Sequence, residues 1–127
     1  MKVESALLAG KHVLVVEDEM LIAMLIEDML VDQGCTVIGP FNTLASALDA
    51  ARTERFDLAI LDVNLAGEKV YPVAEALTAR HIPFLFLSGY GDTAIPKGKS
   101  TWRVCSKPFK GLELTTMLSE TLAAGHG

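Results

Sequence analysis

Short apolar runs alternate along this chain with segments whose apolar positions recur at helical spacing. His12-Val13-Leu14-Val15-Val16 holds four consecutive aliphatic residues, the pattern of a strand buried on both faces. Residues 19–33 read as a helix with Leu21, Ile22, Leu25, Ile26 and Met29 on its inner side, Met20 and Met24 joining its packing, and Gly34 as its stop. Cys35 to Ile38 form a second strand, closed by Gly39-Pro40. Asn42 or Thr43 can cap a second helix that turns Leu44, Ala47, Leu48 and Ala51 inward. Asp57 to Leu61 is a third strand. A helix follows from Gly67 to Arg80, with Pro72 in its first turn or bending it. Pro83 to Leu87 and Arg103 to Cys105 are the fourth and fifth strands, and Pro108 to Ala123 is a closing helix.

The pattern is α/β, (βα)₅. Strands apolar throughout call for a parallel five-stranded sheet covered by helices on both sides, doubly wound in the order 2-1-3-4-5. One segment departs from the alternation. Residues 89–101 carry three glycines and Pro96, so the fourth helix is expected to be short or irregular.

In such folds ligands bind beyond the carboxyl ends of the strands. Reactive side chains stand at those ends: Glu17 and Asp18 after the first strand, Asp62 after the third, Ser88 after the fourth and Lys107 after the fifth. Each has an ordinary reading alone, as a helix N-terminal charge, a turn cap or a strand end. The conjunction is harder to dismiss, because Asp18 and Asp62 are 44 residues apart and Asp62 and Lys107 are 45 apart. Three carboxylates in one cleft repel each other, and magnesium is the hard cation that suits them. Asp18 and Asp62 are the expected direct ligands, with Glu17 reaching through a water and Asn64 offering its backbone carbonyl. Asp62 can then serve as a phosphoryl acceptor, with Lys107 and the Ser88 hydroxyl stabilising the equatorial oxygens.

Length and charge narrow the remaining options. The chain has 127 residues, enough for one domain with a core of its own, and a formal charge of −5 that disfavours direct nucleic-acid binding. Residues 1–62 hold 11 acidic and 4 basic side chains, whereas residues 63–127 hold 5 and 7. From Glu17 to Asp32 there are six acids and no base. The longest apolar run, Met20 to Ile26, is too short to span a bilayer, and residues 1–10 do not make a secretory signal. Cys35 and Cys105 fall on opposite sheet edges, beyond disulfide reach, as suits a reducing cytoplasm. His12, His81 and His126 are scattered and make no metal set.

The motifs Val15-Val16-Glu17-Asp18-Glu19, Leu61-Asp62-Val63-Asn64-Leu65, Leu87-Ser88-Gly89 and Ser106-Lys107-Pro108-Phe109 resemble those of the receiver domains of bacterial two-component response regulators, the CheY-like branch of flavodoxin-like folds. The resemblance covers residues 11–123, leaving tails at 1–10 and 124–127. It implies phosphorylation of Asp62 by a histidine kinase or phosphotransfer protein. It also implies magnesium at Glu17, Asp18, Asp62 and the Asn64 carbonyl, with manganese or calcium able to substitute. Ser88 and Lys107 become the phosphoryl-sensing pair, Lys107-Pro108 a cis bond, and Asn64 and Tyr90 positions that tune phosphoryl lifetime.

One position departs from the family. Most receivers carry an aromatic switch residue three positions before the lysine, and here that position is Val104, with Trp102 and Tyr90 as candidate substitutes. Phe86-Leu87-Ser88-Gly89-Tyr90 is similar to the signature of the atypical FATGUY subgroup, which implies an HWE-type kinase. No output domain follows the last helix, so the chain is expected to be either a stand-alone regulator or the receiver cut from a longer protein, and the expected output is contact with another protein. The expected location is the cytoplasm, and no enzymatic activity is expected beyond the chain's own phosphorylation and dephosphorylation. Two rivals remain. A haloacid-dehalogenase-type phosphatase needs a second Asp where Asn64 stands, and a receiver-like scaffold binds partners without phosphorylation.

Overall fold

The computed structural model describes residues 7–89, 102–107 and 109–124. Its strands are β1 (His12–Val16), β2 (Thr36–Phe41), β3 (Leu58–Asp62), β4 (Asn64–Leu65), β5 (Glu68–Lys69), β6 (Phe84–Ser88) and β7 (Arg103–Ser106). Its helices are α1 (Met20–Asp32), α2 (Leu44–Thr53), α3 (Tyr71–Ala79) and α4 (Gly111–Ala124). Five strands form one parallel sheet in the order β2-β1-β3-β6-β7, while β4 and β5 make a separate antiparallel hairpin. This is the doubly wound CheY-like sheet, with the expected 2-1-3-4-5 order of its five long strands.

Strand alternation sorts the aliphatic residues between two cores. Leu14, Val16, Ala59, Leu61, Phe84 and Phe86 face one side and pack with Ala47, Ala51, Val73 and Leu77 of α2 and α3. Val13, Val15, Leu58, Ile60, Leu85 and Leu87 face the other and pack with Ile26 and Leu30 of α1 and Leu114 and Leu118 of α4. Both faces are covered, so no strand interior has a place for a polar residue until its carboxyl end.

Several boundaries differ from the sequence expectations. β2 runs through Gly39-Pro40, a cis bond, rather than stopping there. It is an edge strand, where proline is tolerated. A Cβ on Gly39 would lie 2.9 Å from the Val15 carbonyl oxygen, so only glycine fits that close approach. Thr43, not Asn42, caps α2, its side chain accepting from the Ser46 N–H at 3.1 Å. Gly67 does not begin a helix. Buried Leu65 and Val70 pin the β4–β5 hairpin instead, and α3 starts at Tyr71 with Pro72 in its first turn. The closing helix starts at Gly111 rather than Pro108.

The rotation of α1 also differs. Ala23, Ile26 and Leu30 are its buried residues, whereas Leu21 is 81% and Leu25 57% exposed. Met20 and Met24 are exposed as well. Seven consecutive apolar residues from Met20 to Ile26 give the helix no polar face in that stretch, so their period cannot set which side turns inward. Small Ala23 is instead buried on the same side as Ile26 and Leu30. The expected irregular fourth helix, Tyr90 and Pro108 lie outside the described residues.

Candidate functional site: an acidic pocket at the strand ends

The parallel strands end at one edge, and the residues there are polar because the cores end with them. Glu17 directly follows β1, and its N–H donates to the Phe41 carbonyl at 3.0 Å, which ties it to β2. Asp62 is the last residue of β3 and Ser88 the last of β6. Lys107 follows β7, and its N–H donates to the Ser88 carbonyl at 2.8 Å. Glu17, Asp62 and Ser88 are all buried.

Glu17, Asp18 and Asp62 each place a carboxylate oxygen within 4.8 Å of the others. Lys107 Nζ lies 3.2 Å from Glu17 Oε1 and 3.3 Å from Asp62 Oδ2. Glu17 Oε2 accepts from the Glu19 N–H at 3.1 Å, and Asp18 Oδ2 accepts from the Ala66 N–H at 3.0 Å. Ser88 Oγ donates to the Gly89 carbonyl at 3.1 Å. Asn64 is exposed at the start of the hairpin, with its backbone paired to Lys69.

One ammonium cannot balance three carboxylates. Burial, reinforced by neighbouring Glu17, pushes the Asp62 carboxyl up to about 7 against the opposing pull of Lys107. Burial alone would lower Lys107, but Asp62 and Glu17 outweigh it and hold the ammonium above its ordinary value. Glu17 Oε1 is buried and has no hydrogen-bond partner among the described residues, its contact there being the ion pair with the Lys107 ammonium at 3.2 Å. An excess of negative charge, an orphaned carboxylate oxygen and an all-oxygen donor set fit a hard divalent cation.

The remaining sequence candidates fall elsewhere. Trp102 is buried in an aromatic cluster, 5.3 Å from Phe86 and 5.5 Å from Phe84 between ring centroids. Tyr71 stacks on it at 6.3 Å with rings 29° apart. Val104 packs against the same core, half-buried. Cys35 and Cys105 are buried and unpaired, and burial pushes both thiols up. Two contributors were not expected from sequence: the Ala66 N–H on Asp18, and Tyr71 as the partner of Trp102. The only sequence sign of the first was Ala66-Gly67 between Leu65 and Glu68, a weak form of the two-residue hairpin signal.

A CheY-like sheet with an acidic pocket and a lysine at its carboxyl edge defines a receiver domain. The chain matches the model of the response regulator receiver domain over residues 13–119, and it belongs to that family. It is 42% identical to SdrG from Sphingomonas melonis Fr1, whose solution structure superposes with a TM-score of 0.79 and covers 90% of this chain and 97% of that one. PhyR from Brucella abortus superposes with a TM-score of 0.78 at 28% identity, covering 91% of this chain and 49% of PhyR. The regulatory protein VanR of Enterococcus faecium is 32% identical over 117 residues, which are 87% of this chain and 49% of VanR. The chain thus spans about half the length of the curated relatives it matches. Receiver domains bind magnesium in an acidic pocket, and a receiver domain of Pseudomonas aeruginosa, PA1611REC, has been crystallised with magnesium in its active-site cleft. It is 25% identical, covers 91% of this chain and 99% of that one, and superposes with a TM-score of 0.72.

Proposed function

We propose that this chain accepts a phosphoryl group on Asp62 from a phosphohistidine and signals through protein contacts that depend on that modification. The observation that carries this reading is the setting of Asp62: Lys107 Nζ at 3.3 Å on one side, and the carboxylates of Glu17 and Asp18 gathered on the other. In the transfer, an Asp62 oxygen attacks phosphorus as the bond from phosphorus to the donor imidazole breaks. The bonding electrons leave with the imidazole nitrogen, and an acyl phosphate remains on Asp62. Lys107 holds positive charge where the phosphoryl oxygens arrive, and the Ser88 hydroxyl turns from the Gly89 carbonyl to donate to one of them. Magnesium held by Glu17, Asp18, Asp62 and the Asn64 carbonyl would supply the rest of the charge neutralisation. Asn64 and Tyr90 are the positions that tune how long the acyl phosphate lasts.

The donor's docking surface is the outer side of α1, which begins two residues after Asp18. Met20, Leu21, Met24, Leu25 and Val31 are exposed there beside Glu27 and Asp28, with exposed Leu112 at the start of α4. An apolar stripe edged by acids suits the helices of a kinase or phosphotransfer protein that carry apolar residues flanked by basic ones. The resemblance of Phe86-Leu87-Ser88-Gly89-Tyr90 to the FATGUY signature makes an HWE-type kinase the donor to try first. Such a donor places the chain in the cytoplasm, and no described helix is long and apolar enough to cross a membrane.

Titration with beryllofluoride and magnesium tests the reading. Wild type should saturate at one equivalent, and Asp62→Ala should not bind. Failure of wild type to bind would favour a scaffold that works without phosphorylation.

A further inference from the structure

Asp18 differs from its two partners in the pocket. Glu17 and Asp62 are held by burial, whereas Asp18 is exposed, in a loop where a carboxylate ordinarily samples several rotamers. Among the described residues, what holds it is one backbone donor 48 residues away, the Ala66 N–H at 3.0 Å from Oδ2.

The segment that supplies this donor is built with some strain. Ala66 has φ 51 and Gly67 φ 87, so both central residues of the two-residue turn are left-handed. That conformation suits Gly67 but costs about 1 kcal/mol or more at Ala66. It persists because the hairpin is fastened on both sides. Leu65 is 1% exposed, Asn64 pairs with Lys69, and the Val70 N–H donates to the Val63 carbonyl at 2.9 Å. Val63 directly follows Asp62, so the hairpin that orients Asp18 is anchored beside Asp62.

We propose that Ala66 is a positioning residue for the pocket. Its N–H, aimed by the left-handed turn, holds the Asp18 carboxylate beside Glu17 and Asp62 and thereby raises the affinity of the three for a divalent cation. This rests on the reading of the pocket as a magnesium site. Valine is poorly tolerated at positive φ, so Ala66→Val should release Asp18, whereas Ala66→Gly keeps both the turn and the N–H.

The test is calorimetric titration of the full chain with magnesium chloride alone. Ala66→Val should weaken binding about ten-fold or more, the order expected for one hydrogen bond to a charged group. Ala66→Gly should bind like wild type. In an Asp18→Ala background, Ala66→Val should have no further effect. An unchanged affinity in Ala66→Val, or an equal loss in the Asp18→Ala background, would overturn the inference, because the hairpin would then act by another route. Failure of wild type to bind magnesium would instead overturn the reading of the pocket. A second measurement does not depend on Ala66→Val folding. In metal-free Asp18→Ala, which removes the acceptor, the Ala66 amide proton should move upfield and exchange faster than in wild type, and an unchanged amide would equally overturn the proposal.

Discussion

Lys107 Nζ stands 3.3 Å from Asp62 Oδ2, the only described cation in contact with the proposed phosphoacceptor. The same ammonium lies 3.2 Å from Glu17 Oε1, so it is shared between two buried carboxylates. The pocket is therefore under-neutralised, and several consequences can be measured.

Lys107→Ala leaves Glu17 and Asp62 buried with no described counter-charge in contact. In EDTA, urea denaturation should show a loss of about 2 kcal/mol or more relative to wild type. Adding Asp62→Asn should recover part of that loss by removing one of the two orphaned charges. A single variant as stable as wild type would show that Lys107 does not balance the pocket.

Asp62 also makes metal-free stability depend on pH. Its carboxyl is raised from an ordinary 3.8 to about 7 in the fold, so the folded state binds the proton more tightly than the unfolded chain. Its contribution is complete below the unfolded value and is lost as pH rises through the folded one. Between these values, wild type in EDTA should lose up to about 1 kcal/mol per pH unit relative to Asp62→Asn. Lys107 does not confuse this window. Its raised value places its own contribution below the alkaline range, lost only as pH rises above 10.5. Parallel stability curves for the two proteins would contradict the assignment.

Trp102, the single tryptophan, offers a built-in reporter. Tyr71 stacks on it and follows Val70, the residue that closes the hairpin beside Asp62. Beryllofluoride with magnesium should shift Trp102 emission, and Tyr71→Ala should remove most of the shift. The same substitution should cost about 0.5–1.5 kcal/mol for the lost ring contact. An emission change that survives unaltered in Tyr71→Ala would mean that Trp102 senses the pocket by another path, leaving the role of the missing aromatic at Val104 unfilled.

The outer side of α1 separates docking from chemistry. Leu21→Ser and Met24→Ser alter exposed positions, so stability should stay within about 0.5 kcal/mol of wild type. Phosphorylation by acetyl phosphate should be unchanged, while transfer from a phosphohistidine protein should slow about ten-fold or more. Charge reversal at Glu27 and Asp28 should slow that transfer too. Equal transfer rates would show that the donor docks elsewhere.

Much of this organisation was legible in the residues. Uninterrupted aliphatic runs such as Val13 to Val16 can only be buried on both faces, which gives the parallel sheet, and its order is the common one for five-stranded doubly wound folds. The sheet's carboxyl edge then brings Glu17, Asp18, Asp62 and Lys107 together. What could not be read depends on tertiary packing. The seven apolar residues Met20 to Ile26 fit the core in more than one rotation, and the fold adopts the one that buries Ala23, Ile26 and Leu30. The helical period expected from Gly67 gives way because Leu65 and Val70 gain more from burial than from continuing a helix across Gly67. The Ala66 N–H on Asp18 follows from that hairpin, so it was equally hidden.

The central claim is that Asp62 takes the phosphoryl group, and site-mapped mass spectrometry after incubation with acetyl phosphate and magnesium tests it most directly. Wild type should gain one phosphoryl group, mapped to Asp62 by borohydride trapping. The gain should vanish in Asp62→Asn and in EDTA. An unmodified wild type, or equal modification of Asp62→Asn, would contradict the account.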